Sequence, residues 1–293
     1  MLGLLRLLFD RLVHFGAVAG ITLATAGFTG LATRVLRFLT SAREWSSAST
    51  PLPASWGEVI TRNIPLADRL TPAEGARLES LVGVFLRDVR FEGCAGLRVT
   101  EEMRVTIAAQ ACLLLVNLRF PWYPKLRRVL LYPDTFVPKT APGATTQRDE
   151  VPLLGEAWSN GSVVLSWSSV QQGVNNPCDG HNVVLHEFAH VLDSSTGDTD
   201  GVPPLETGDV ATWAYVLHKH YSHLLRLARR DRPTTLDHYG ATNKAEFFAV
   251  ATESFFEQPE KLKGEEPELY DALTRVYHQD PAAQPPVVRY GAA

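Results

Sequence analysis

The sequence predicts an α+β fold, mostly helical, with a small sheet beside one metal-binding helix. Three observations lead there. An apolar segment at residues 182–193 carries His186-Glu187-Phe188-Ala189-His190. Two short runs, residues 129–133 and 162–167, are rich in Val and Leu and have strand character, the second opening after Asn160-Gly161. Helical patterns dominate from His181 to the end of the chain.

The 293 residues are 45% hydrophobic and 20% charged, an ordinary globular balance that can bury a core without staples. A net charge of −4 gives no basic footprint, so direct nucleic-acid binding is not expected. Cys94, Cys112 and Cys178 are odd in number and contain no CxxC pair, so neither a disulfide framework nor a thiolate zinc site is suggested. Of the nine histidines, eight lie between His181 and His278, and that crowding directs attention to metal chemistry.

In chain order, residues 1–40 form a hydrophobic extension. Residues 12–33 contain no Asp, Glu, Lys or Arg and have the length of a membrane helix, although Gly, Ala and Thr dilute them and arginines flank both ends. Ala24-Thr25-Ala26 has the form of a signal cleavage site. The extension therefore reads as an anchor, a signal, or a segment that docks, stays loose or belongs to a start placed too far upstream; the expected location is cytoplasmic, with membrane contact through residues 12–33 as the alternative. Residues 41–55, rich in Ser, Pro and Ala, read as a linker. The folded domain is expected over residues 56–293.

Thr71, Pro72 and Glu74 form a capping-box helix start, and Leu78, Leu81, Val82 and Phe85 follow at core-facing spacing. A second helix is predicted over 101–118. The two strands come next, then a loop over 173–180, then the metal-binding helix.

Within that helix His186 and His190 are four residues apart, so they project from one face about 6 Å apart and converge on one ion. Glu187 stands beside the metal and is placed to take a proton from water whose pKa zinc lowers from about 15.7 to about 7. A catalytic zinc site uses three protein ligands and one open position. Asp193 and Thr196 stand where a metzincin has Gly and His, which excludes that class. The third ligand is sought at residues 239–256, where a polar turn opens an apolar helix bearing Glu246 and Glu253, two helical turns apart on one face. Glu246 also fits as the capping-box partner of Asn243. Residue pattern alone leaves Glu246 and Glu253 equally placed.

The segments HEFAHVLD at 186–193 and YGATNKAEFFAVATESFF at 239–256 resemble the family of the Mlc titration factor A, bacterial zinc-dependent peptidases. The second segment is also similar to part of the catalytic domain of anthrax lethal factor. Shared features include the strand-like runs and Asp200-Gly201-Val202-Pro203, and the similarity extends from about residue 65 to about residue 282. The resemblance implies a zincin-like, gluzincin fold and one Zn2+ per chain held by His186, His190 and Glu246. It also implies Glu187 as general base and Tyr239 facing the carbonyl of a peptide or protein substrate, where a phenol O–H and zinc together stabilise an oxyanion. Glu253 then supports a ligand or lines the helix. Asp193 is expected either to accept a ring N–H from a ligand or to end its helix. His218, His220 and His223 read as a solvated helix face, His181 as outside the ligand set, and His238, next to Tyr239, as a candidate to assist substrate or oxyanion binding. The strand at 163–167 is expected to offer an edge to an extended peptide. Because the family takes its name from a transcriptional repressor, a rival reading is a regulatory protein that sequesters such a partner, with zinc mainly structural.

Overall fold

The computed structural model describes residues 52–119, 123–134, 155–158 and 161–284, all within the second of the two units into which the chain divides, Ser49–Ala293. The extension at 1–40 and most of the linker lie outside these residues. Among the described residues no helix is long and apolar enough to cross a membrane.

Helix α1 (Ala54–Asn63) opens two residues before Trp56, inside the segment read as linker. Helix α2 (Pro72–Asp88) starts as its sequence requires: the Glu74 amide donates to Thr71 Oγ1 at 3.3 Å, and the Thr71 amide donates to Glu74 Oε2 at 2.8 Å. Leu78, Leu81, Val82 and Phe85 are buried. Strand β1 (Arg90–Gly93) was not anticipated, because Arg-Phe-Glu-Gly has no alternation to mark it. Helix α3 (Glu101–Leu113) stops five residues short of Leu118. Its last carbonyls are taken by side chains from elsewhere, Ala111 O by the Tyr123 hydroxyl (2.7 Å) and Leu113 O by Gln279 (2.9 Å), and the chain leaves in tight turns.

The sheet has the order β1-β2-β4-β3. Strand β2 (Arg128–Tyr132) runs parallel to β1 and to β4 (Ser162–Ser166), with Val129 opposite Val163 and Leu131 opposite Leu165. Strand β3 (Gly155–Trp158) is antiparallel to β4. Every residue of β4 is buried, as suits a central strand covered on both faces. Two expectations are corrected here. Strand β4 is paired on both sides, so it offers no free edge; among the described residues the outer strand on that side is β3. The strand also ends at Ser166, whose hydroxyl caps helix α4 (Trp167–Asn175), so Trp167 is helical and the loop shortens to residues 176–182.

Helix α5 (Val183–Asp193) carries the HExxH residues and lies against the sheet, α3, and helix α7 (Lys244–Glu257). Helix α6 (Val210–Ala228) precedes α7, and α8 (Pro259–Glu265) and α9 (Pro267–Tyr277) complete the domain. Two aromatic clusters hold the frame. Phe188 of α5 packs on Phe85 (5.7 Å between ring centres) and Tyr123 (5.1 Å), while Phe255 of α7 packs on Tyr270 (5.1 Å) and Tyr277 (5.6 Å). The two helices that face each other across the site are thus each anchored in core on their far side.

Candidate metal centre

Asn182 starts α5. Its side-chain oxygen accepts from the Val184 and Leu185 amides, both at 3.1 Å. Val183, Val184, Leu185, Phe188, Ala189, Val191 and Leu192 bury the rest of the helix, which leaves His186 and His190 on the stripe facing α7. On α7, Asn243 caps through the Glu246 amide at 3.0 Å. Only half of a capping box forms, because the Glu246 carboxylate turns instead to the two histidines: Oε2 lies 3.0 Å from His186 Nε2 and 3.2 Å from His190 Nε2. One donor atom from each of these three residues lies within 4.8 Å of the other two.

Glu253, the alternative candidate, has another place. Its Oε1 accepts from the Asn182 amide at 2.7 Å and its Oε2 faces His186 Nδ1 at 2.9 Å. Accepting on one oxygen from a backbone N–H, it acts as a carboxylate acceptor on the other, and His186 Nδ1 carries a proton toward it. In a neutral ring Nε2 then holds a lone pair aimed at a Glu246 oxygen 3.0 Å away. Two electron pairs in that geometry require a positive centre between them, either a proton or a metal ion. The donor set therefore fits a metal.

The electrostatics agree. Burial works against charge on His186, but Glu253, Glu246 and Glu187 outweigh it and hold its proton affinity well above the ordinary imidazole value. Burial likewise pushes the Glu246 carboxyl up, and the two imidazoles overcome it and hold it at about 2.

Glu187 is buried, 4% exposed, on the same helix. Tyr239 sits in the tight turn His238–Ala241, held by the Asp237 carboxylate, which accepts from the Tyr239 amide at 2.6 Å. Its ring lies 5.9 Å from the His186 ring. Burial, then the Glu246, Glu187 and Glu253 carboxylates, push its phenol up to about 12, so it keeps its proton. Of the residues singled out from the sequence, His186, His190 and Glu246 bring donor atoms together, and the Tyr239 ring lies beside the His186 ring.

Other histidines lie elsewhere. His181 precedes the helix and faces Asp237 at 3.8 Å. His238 turns from the site, its Nε2 bonding to Arg232 O at 2.9 Å. His218 is exposed, but His220 corrects the reading of a solvated face: it is buried, with Nδ1 2.9 Å from Glu266 and Nε2 3.3 Å from Glu268, where it joins α6 to the start of α9. Each ring nitrogen meets a different carboxylate, which gives no common point for an ion. Asp193 is wholly buried and accepts from the Gly201 amide at 2.8 Å, so it does more than end a helix.

Two residues of the site were not singled out from the sequence. Glu257 accepts from Asn182 Nδ2 and the Gly180 amide, each at 3.0 Å, and with Glu253 it grips the start of α5. The signal was present: Glu253 and Glu257 are carboxylates one turn apart on a helix that is otherwise apolar there, and Asn182 immediately precedes an apolar run.

The sequence profile of the family described as glucose-regulated metallo-peptidase M90 matches residues 39–278. A Synechocystis protein of uncharacterized function is 37% identical over 244 residues, 82% of this chain and 89% of its own length. The Mlc titration factor A of Yersinia pestis (strain Pestoides F) is 34% identical over 243 residues, 79% of this chain and 86% of its own, and the same values hold for that of Yersinia pseudotuberculosis (strain YPIII). With a metal-ready cluster on its HExxH helix and a profile match that covers most of its length, the chain belongs to the glucose-regulated metallo-peptidase M90 family.

Proposed function

We propose that the protein is a zinc-dependent peptidase of the gluzincin type, with His186, His190 and Glu246 holding one Zn2+. The observation that carries this reading is the convergence of those three side chains beside a buried Glu187 and a protonated Tyr239. Zinc held there supplies Lewis acidity, polarising a carbonyl and bringing the pKa of water toward about 7. Glu187, next in sequence to one ligand, takes the proton of the attacking water and returns it to the leaving amine. The Tyr239 phenol donates to the oxygen of the attacked carbonyl as negative charge develops on it. Glu253 fixes the tautomer of His186. Among the described residues β3 is the outer strand on that side and packs beside α5, so an extended peptide would pair along β3 rather than β4, which is already paired on both sides.

The test is bound zinc and peptide hydrolysis for wild type, Glu187→Gln and Glu246→Ala. We expect Glu187→Gln to keep zinc and lose activity by about 10²–10⁴-fold, and Glu246→Ala to lose both. Undiminished hydrolysis by Glu187→Gln would sink the mechanism, and full zinc occupancy in Glu246→Ala would move the third ligand elsewhere.

The name of the Yersinia relatives favours a second reading, a regulator that binds a transcriptional repressor. Glu187→Gln separates the two: a sequestering protein keeps its repressor partner and its cellular effect without hydrolysis. Repressor binding goes with a cytoplasmic location, which membrane fractionation of the intact chain distinguishes from anchoring through residues 12–33.

A further inference from the structure

His186 and His190 are not equally supported. His186 Nδ1 has Glu253 behind it at 2.9 Å. His190 Nδ1 is buried and has no hydrogen-bond partner. Three residues further along α5, on the same face, Asp193 Oδ1 is also buried and without a hydrogen-bond partner. One atom is a donor when Nε2 binds a metal, and the other is an acceptor. Burying either alone carries the full cost of its desolvation, and pairing them removes both costs.

Asp193 is held in place for this. Its other oxygen takes the Gly201 amide, and Gly201 O accepts from Trp213 Nε1 at 2.8 Å. Gly201 has φ +83°, and a Cβ there would lie 2.4 Å from Lys244 O, the first residue of α7. The Asp193–Gly201 contact thus links the end of the HExxH helix to the root of the helix that supplies Glu246.

We propose that Asp193 is the positioning residue for His190: its Oδ1 accepts the His190 Nδ1–H in the metal-loaded protein, as Glu253 serves His186, and the Gly201 turn fixes it there. The inference rests on the zinc-site reading above. Asp193→Asn is the informative substitution, because the Gly201 amide and the His190 ring are assigned to different carboxylate oxygens, and the amide NH2 that replaces one of them can only donate. The measurement is the zinc dissociation constant of the full chain, wild type against Asp193→Asn, with folding of each checked by circular dichroism. We expect zinc affinity to fall about 10–100-fold in a folded variant. Independently of any variant, a long-range 15N–1H spectrum of the zinc-loaded wild type is expected to show slowly exchanging Nδ1 protons on both His186 and His190. A zinc affinity unchanged within about twofold, or a His190 Nδ1 proton in free exchange with solvent, would overturn the proposal. Both readouts are taken without peptide, so a protein that binds zinc tightly but hydrolyses nothing defeats the peptidase reading alone.

Discussion

His186 is approached by carboxylates at both ring nitrogens, Glu253 at Nδ1 and Glu246 at Nε2, and in the metal-free protein their pull outweighs burial and keeps the ring protonated. A metal must displace that proton. Apparent zinc affinity should therefore rise with pH through the neutral range, by about tenfold per pH unit for one proton released. Chelator-competition titrations over pH check this, and a flat profile would show that His186 is already deprotonated. Tyr239 titrates far from neutrality, at about 12, so its phenol is a standing donor. Tyr239→Phe should lower kcat roughly 10²–10³-fold with zinc binding intact and KM little changed. Equal losses in zinc content would instead mark the tyrosine as structural.

At the scale of the element, the start of α5 is gripped by two carboxylates from α7. Negative charge is favourable at a helix N-terminus, where unpaired amides and the helix dipole both attract it. Glu253 and Glu257 are one turn apart and both buried, however, and close like charges resist joint ionisation. Burial pushes the Glu257 carboxyl up to about 8, the Asn182 side chain pulls it back, the Asp179 and Glu253 charges raise it further, and the Gly180 amide lowers it. The native state thus holds a proton that the unfolded chain has released above about 4.5. Stability from this group is present at low pH and declines as pH rises from about 4.5 to about 8. Denaturant midpoints measured across that window should fall for wild type and flatten for Glu257→Gln. A wild-type curve that rises through the same range would show Glu257 ionised in the native protein.

At the scale of the molecule, two cores hold two helices and the site lies between them. Phe188 fixes α5 through Phe85 and Tyr123, and Phe255 fixes α7 through Tyr270 and Tyr277. Polar ties cross between α5, with its Asn182 cap, and α7 through Glu246, Glu253 and Glu257. A metal that binds both helices should stabilise the whole fold by mass action, about 2.7 kcal/mol at a free concentration 100-fold above its dissociation constant. Chelation should accordingly lower the thermal midpoint, and re-addition of zinc should restore it. A midpoint indifferent to metal would mean that the ion contributes nothing to holding α5 against α7.

Local chemistry made parts of this legible in advance. The Thr71 cap, the α2 core face, strands β2 and β4 and the HExxH helix are each specified by neighbours within a turn or two of chain, so their patterns survive in the sequence. The limits of α3 and β4 were not legible, because Tyr123 and Gln279 terminate one from a distance and a hydroxyl cap at Ser166 converts the other directly into a helix. Strand β1 and the pairing of β3 along β4 depend on partners remote in sequence. By itself the sequence determined that His186 and His190 share a helix face, since 3.6 residues per turn is a property of the backbone. Residue pattern alone could not choose between Glu246 and Glu253, which occupy the same face of one helix. The docking of α7 against α5 decides which of them meets both Nε2 atoms and which stands behind His186, and that distance is set by packing between elements rather than by any local pattern.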